Sequence, residues 1–176
     1  MAAYYSDLIA NPSDNTALGV AYKASVGVSH ARTRTSIARA TGLFLTTDIV
    51  RMISLRSGDR LLSLELATDG ACTAGAVDVG LYLAGEAHSG AVADADLFAS
   101  AMVVSTETDL LDCFVESTTL DGVDRGRTLW EIATLGGGTN YTEDPFLLFD
   151  IVIIPSTSLT VAAGELTLKA VYTAGD

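Results

Sequence analysis

Few residues of this sequence could support catalysis, and they are widely separated. The histidines are His30 and His88, and neither stands beside a serine or cysteine nucleophile motif. The Gly-x-Ser-x-Gly elbow of many hydrolases does not occur in the sequence. We expect His30 to be a contact residue and His88 to lie in a loop. The sequence therefore predicts that the protein is not an enzyme.

Three pairs of acidic residues could supply oxygen ligands for a cation. These pairs are Asp94/Asp96, Asp121/Asp124 and Glu143/Asp144. None of them fits the twelve-residue calcium loop, and solvated turn residues or a helix cap explain them more simply. The two cysteines, Cys72 and Cys113, have no histidine nearby and make a poor zinc site. The sequence predicts no metal and no cofactor.

Two other features could bind ligands. The run Gly136-Gly137-Gly138-Thr139 lacks the Lys-Ser/Thr of a phosphate-binding loop and is expected to be a flexible loop. Trp130 could be a platform for stacking a sugar ring, although a lone tryptophan in a strand belongs more often to a core or an interface.

The elements that must position these residues are mainly strands. Four apolar segments between residues 43 and 84 are separated by short turns rich in Gly, Asp, Ser and Thr. In Leu62–Leu66 and Val77–Leu83 the apolar residues fall on every second position, which indicates antiparallel strands with one buried face. Phe146–Ile154 is expected to be a central strand, because it is apolar throughout except for Asp150.

The pattern also predicts particular core residues and one helix. We expect a strand at Thr128–Leu135, another at Glu165–Tyr172, and the one short helix at Asp94–Ala101, with an aspartate as its cap. The expected core residues lie on alternating positions of the clearest strands. They are Leu64, Leu66, Val77, Val79, Leu81, Phe149, Ile151, Ile153 and Leu168.

The distribution of charge indicates an acidic partner for the front of the chain. The net charge is −12. Residues 1–60 hold seven Lys/Arg against four acidic residues, whereas the rest hold three against eighteen. DNA would repel such an acidic body, so we expect a protein partner and no nucleic acid. With 49% apolar and only 18% charged residues, part of the surface is expected to be covered by other subunits.

Residues 1–33 are expected to form an arm, and residues 34–176 the folded domain. Apolar side chains near the start and arginines near the end of this region are its expected contacts with a partner. These partner-binding residues are Tyr4, Tyr5, Leu8, Ile9, Arg32, Arg34 and Arg39. Arginine suits this role, because its guanidinium group binds carboxylates in a bidentate manner.

The sequence shows no secretory signal and no apolar stretch of about 18 residues. We therefore expect synthesis in a reducing cytosol, free thiols and no membrane segment.

A family resemblance joins these observations. The run Arg60–Leu64, the small-residue turn Ala71–Gly75 and the segment Val77-Asp78-Val79-Gly80-Leu81-Tyr82 resemble tailed-bacteriophage virion proteins. The later Asp94–Ala101 and Leu129-Trp130-Glu131 segments extend the likeness. It implies an all-β fold, a jelly-roll-like antiparallel β-sandwich, on the phage particle.

The resemblance also implies a function. The expected role is a capsid decoration or cement protein on the virion surface, which stabilises the assembled head. Its expected partners are the major capsid protein and other copies of itself, as a homotrimer. The alternative is a head-fibre or tail-associated jelly-roll module that binds a host glycan.

Overall fold

The computed structural model describes residues 3–5, 20–21, 33–69, 72–73, 75–104, 108–137, 140–157 and 159–175. In these ranges the chain forms mainly strands. The strands are β1 Ala3–Tyr5, β2 Val20–Ala21, β3 Thr33–Phe44, β4 Ile49–Arg56, β5 Arg60–Asp69, β6 Cys72–Thr73, β7 Ala76–Leu83, β8 Val92–Val103, β9 Thr108–Asp112, β10 Leu148–Pro155 and β11 Leu159–Thr173. The helices are α1 Cys113–Glu116 and α2 Leu129–Leu135.

The strands form two sheets that enclose one main core. One sheet has the order β1-β4-β10-β7-β8, and the other has the order β2-β3-β11-β5-β9, with β6 paired to β11. The described pairings are antiparallel except for β1, which runs parallel to β4. The predicted all-β sandwich is confirmed.

The connectivity is that of a long hairpin rolled into two layers. From the ends inward, β3 pairs with β11, β4 with β10, β5 with β9 and β7 with β8. The pairs β5–β11 and β7–β10 then join neighbouring arms of the hairpin. This nesting of eight strands in two facing sheets is the arrangement of a jelly roll.

The predicted core is confirmed residue by residue. All nine residues expected inside have no exposed surface, including Leu64, Leu81 and Phe149. They point inward because alternate residues of a strand face the same side of its sheet. On the opposite face of the sheet with β4, β7 and β10, Ile49, Tyr82 and Val152 form a second, smaller apolar cluster.

The predicted helix at Asp94–Ala101 is wrong, because this segment belongs to strand β8. The register between β7 and β8 shifts repeatedly, so that Val79 lies opposite Ala99 while Leu81 lies opposite Asp94. The extra residues bulge, and Leu97 and Phe98 are buried in the core. Gly80 makes room for the bulge, since a Cβ atom there would lie 2.2 Å from the carbonyl oxygen of Ala95.

The predicted strand at Thr128–Leu135 is also wrong, because residues 129–135 form helix α2. Thr128 and Glu131 form a capping box at its start. The Thr128 N–H and hydroxyl both donate to Glu131 Oε2, at 2.9 and 2.6 Å. Leu129, Ile132 and Ala133 are buried, so the helix packs one face on the sandwich.

Most of the predicted arm, residues 1–33, lies outside the described residues. The backbones of β1 and β2 extend the two sheets next to β4 and β3 of the same chain. Five of the predicted contacts fall outside what the structure describes: Leu8, Ile9 and Arg32 as whole residues, and Tyr4 and Tyr5 as side chains. The division at residue 33 stays a prediction.

Core burial gives a direct test of the fold. Leu81→Ala removes a fully buried side chain from β7 and should lower the free energy of unfolding by about 2–5 kcal/mol. Leu43→Ala is the matched control, because Leu43 is 57% exposed and its loss should cost under about 0.5 kcal/mol. Equal unfolding midpoints for the two variants in urea would contradict this packing.

Candidate functional site

The candidate site is an open groove beside an exposed aromatic residue at one end of the sandwich. We call it the Phe146 groove. It has a volume of about 500 Å³. Its walls include Arg56, Ala87, His88, Phe146, Leu147 and Leu148. Phe146 is 85% exposed, the highest value among the large apolar residues that the structure describes.

Phe146 has an unusual backbone conformation. Its φ angle is +54°, in the left-handed region that bulky side chains rarely adopt. The Phe146 N–H donates to Asp144 Oδ1 at 2.9 Å. Backbone strain of this kind persists only where the surroundings fix the chain, and it concentrates at functional positions.

Ser57 holds this segment against the rest of the protein. Its hydroxyl donates to Asp144 Oδ1 at 2.5 Å and accepts the Leu147 N–H at 3.0 Å. Its own N–H donates to the Leu147 carbonyl at 2.8 Å. Its carbonyl accepts the N–H of Trp130 at 3.1 Å, at the start of α2. Ser57 therefore joins the β4–β5 turn, helix α2 and the segment that carries Phe146.

The groove does not contain a catalytic triad, although the side chains of Ser57, His88 and Asp144 lie near it. A hydroxyl group has one proton, and that of Ser57 is donated to Asp144. In a triad the serine would donate this proton to the histidine base. The arrangement supports the geometry of the segment rather than nucleophilic attack.

The second wall of the groove is a loop that covers a buried ion pair. Arg51 Nη1 lies 2.6 Å from Asp150 Oδ2, and both side chains are at most 5% exposed. The guanidinium also donates to the carbonyls of Leu83 and Gly90, both at 3.3 Å. Residues 85–90 thus close over the ion pair and place Ala87 and His88 beside the groove.

Glycine is required where this loop crosses the guanidinium. Gly90 has a φ angle of +64°, and a Cβ atom there would lie 2.7 Å from Arg51 Nη2. The side chain of Asp150 receives further hydrogen bonds from the Ser54 hydroxyl and, at 3.4 Å, from the Gly85 N–H. Both terminal nitrogens of Arg51 and both oxygens of Asp150 thus have hydrogen-bond partners, which a buried ion pair needs in order to be tolerated, whereas Nε of Arg51 is buried without one.

The structure separates the two predicted anchor arginines that it describes. Arg34 and Arg39 are both exposed on β3, but five residues of strand place them about 16 Å apart. Arg39 pairs with Glu165 of the neighbouring strand at 3.2 Å. Their role in binding a partner stays a prediction.

The paired carboxylates serve the local chain. Asp124 accepts the Asp121 N–H at 3.1 Å and pairs with Arg127 at 2.8 Å. Asp94 accepts the N–H of Asp96 at 3.2 Å. Within the described ranges no group of three or more His, Cys, Asp and Glu residues could hold a metal ion.

Cys113 is a free thiol inside the core. Burial, with the nearby negative charge of Asp112, raises the pKa of this thiol to about 12. A thiol with such a pKa is almost entirely protonated at neutral pH, so Cys113 is a packing residue and a poor nucleophile.

Trp130 is not an open platform in this structure. It lies in α2, is half-buried and packs against the main core. Sequence reasoning placed Phe146 at the start of a central strand, but β10 begins at Leu148 and Phe146 is an exposed aromatic side chain before it. The Asp144-Pro145 pair before it was the available signal, since both residues favour turns.

Comparisons with known proteins give one similarity. No family model and no curated protein matches this chain. A chain of the solved cyanophage Pam1 capsid asymmetric unit is similar at 16% identity with a TM-score of 0.45. The alignment covers 93% of this chain and 99% of that chain.

Among the described helices none is long and apolar enough to span a membrane.

The bridge that the Ser57 hydroxyl forms between Asp144 and Leu147 can be tested by removing that hydroxyl. Ser57→Ala should lower the free energy of unfolding by about 1–3 kcal/mol, because Asp144 and the Leu147 N–H each lose a buried partner. Ser100→Ala, at an exposed position of β8, is the control and should be nearly neutral. A neutral result at Ser57 in chemical denaturation would show that the bridge does not hold the Phe146 segment.

The capping box next to Ser57 predicts a pH dependence. Hydrogen bonds from the Thr128 hydroxyl and N–H lower the pKa of Glu131 below its ordinary value of 4.5. A carboxylate with a lowered folded pKa stabilises the protein above its unfolded pKa, and this stabilisation is lost as the pH falls through the folded pKa.

Glu131→Gln keeps an acceptor for Thr128 but cannot titrate. Below about pH 4.5 the unfolding free energy of the wild type should therefore fall more steeply than that of this variant. Glu143→Gln, which removes an exposed carboxylate outside the capping box, is the control. Identical slopes for wild type and Glu131→Gln in acid titrations of unfolding would count against the capping box.

Proposed function

We propose that this chain is a structural component of a tailed-bacteriophage virion, and specifically a decoration or cement protein of the capsid. It would bind the assembled head through the major capsid protein and through other copies of itself, as a homotrimer. A protein that binds only the assembled lattice stabilises that lattice by its binding free energy. No chemical step is needed for this role.

The observation that carries the proposal is the fit between the resembling sequence motif and its place in the jelly roll. The Val77–Tyr82 motif forms strand β7, next to the bulged strand β8. Asp78 accepts the Ala101 N–H at 2.7 Å, and Gly80 leaves space for the backbone at Ala95. Asp78 and Gly80 of the motif thus both contribute to the pairing of β7 with β8.

The exposed apolar residues support a partner on the surface. Several of them stand at turns and strand ends, where they add little to the fold of a single chain. Besides Phe146 they include Leu43, Leu45, Val92, Val103, Leu110 and Val123. Interfaces of permanent complexes are more apolar than the free surface, so a chain that has a partner can keep such side chains exposed when it is alone.

Glycan recognition is the second candidate, and Phe146 is the observation in its favour. An exposed aromatic ring at the end of a jelly roll can stack against a sugar. Against it, the Asp144 carboxylate and the Ser57 hydroxyl are already engaged with each other and with the backbone at Phe146 and Leu147. The groove therefore offers few free polar groups for sugar hydroxyls.

The proposal can be tested on heads that lack this protein. Adding the purified chain should raise the temperature at which the heads release their DNA, in proportion to the sites filled. An unrelated acidic protein at the same concentration is the control. Removal of the arm, residues 1–33, should weaken binding to the heads. Heads that neither bind the chain nor gain thermal stability would contradict the proposal.

A further inference from the structure

Phe146 is exposed at a cost to the free protein. Its ring gains little burial at 85% exposure, and its backbone is held at a φ of +54°. Neither feature stabilises the isolated fold. The backbone of the segment is nevertheless fixed through Asp144 and Ser57, so the direction in which the Phe146 side chain leaves the chain is set before any partner arrives. A segment ordered in advance loses less conformational entropy on binding.

The surroundings of the ring define the chemistry of what could bind there. Leu147, Leu148 and Ala87 provide apolar walls. Arg56 is exposed at the groove, and its guanidinium forms no ion pair within the described part of the chain. It is therefore a cation available to a carboxylate of a partner.

We propose that the Phe146 groove docks a segment of a neighbouring capsid protein that presents an apolar side chain next to a carboxylate. The apolar side chain packs on the Phe146 ring and the leucine wall, while the carboxylate pairs with Arg56. This inference rests on the proposed function and names the surface that performs it.

Other occupants fit the groove less well. Phe146 stands out from the surface, whereas a small-molecule site surrounds its ligand. The polar groups at the base of the ring are engaged internally, which disfavours a sugar. Two copies joined about a two-fold axis through this groove would bring Arg56 towards its equivalent, and both chains carry a net charge of −12.

Substitution of Phe146 separates docking from folding. Phe146→Gly removes the ring and relieves the left-handed backbone, so the melting temperature of the free protein should stay the same or rise. Binding to heads that lack the protein should weaken at least tenfold. Val123→Ser removes another exposed apolar side chain, 79% exposed in the turn after α1 and outside the groove walls, and should weaken binding less than Phe146→Gly does.

Charge reversal tests the carboxylate. Arg56→Glu should weaken binding at least tenfold at low salt and by less at high salt, because screening reduces the repulsion. Arg60→Glu makes the same charge change four residues further along, outside the groove walls, and should have a smaller effect.

The outcomes separate the docking surface from the function. If wild type binds the heads and both Phe146→Gly and Arg56→Glu bind equally well, the inference is wrong and the proposed function stands. If wild type does not bind, both are wrong. A fall in melting temperature for Phe146→Gly would assign the ring a structural role instead. A change of oligomeric state on Phe146→Gly, or glycan binding that depends on Phe146, would assign the groove to a second copy or to a sugar and overturn the inference.

Discussion

The Arg51 and Asp150 side chains meet diagonally across the neighbouring strands β4 and β10, and both are almost fully buried. Either charge alone would be very unfavourable in this position, so the two strands must remain in the register that joins them. The terminal nitrogens of the guanidinium also donate to the carbonyls of Leu83 and Gly90, which bound the loop over it. Asp150 lies in β10, four residues after Phe146. Both walls of the groove are therefore positioned by the same ion pair.

The charge asymmetry of the sequence has a cause within the fold. Two arginines from the basic front of the chain, Arg39 and Arg51, pair with Glu165 and Asp150 from its acidic part. In a nested jelly roll the early strands lie beside the late ones, so opposite charges at the two ends of the sequence become neighbours. Part of the positive charge is thus used to join strands. Arg56 differs, because its charge remains available at the surface.

The strands and the core could be predicted from sequence because they follow a period of two that the sheets preserve. The two errors have different physical origins. At Asp94–Ala101 the bulges against β7 override a local pattern that resembles a capped helix. At Thr128 the capping box with Glu131 was visible in the sequence as Thr-x-x-Glu, a helix signal stronger than the apolar alternation. The exposure of Phe146 could not be recognised from sequence, since it depends on the turn at Asp144, and Asp144 is held by Ser57, 87 residues earlier.

The strands β10 and β11 lie in the interior of the two sheets, yet they follow all the others in the sequence. During synthesis on the ribosome, β4 and β7 in one layer, and β3 and β5 in the other, emerge before the strand that must lie between them. Neither layer can close until residues 148–173 have been made, so the sandwich cannot fold before β10 and β11 have been synthesised. Until then β3, β4, β5 and β7 have unpaired edges. At high concentration these edges would pair with strands of other nascent chains. A translational stop before residue 148 would accordingly remove both sheets at once rather than shorten one of them.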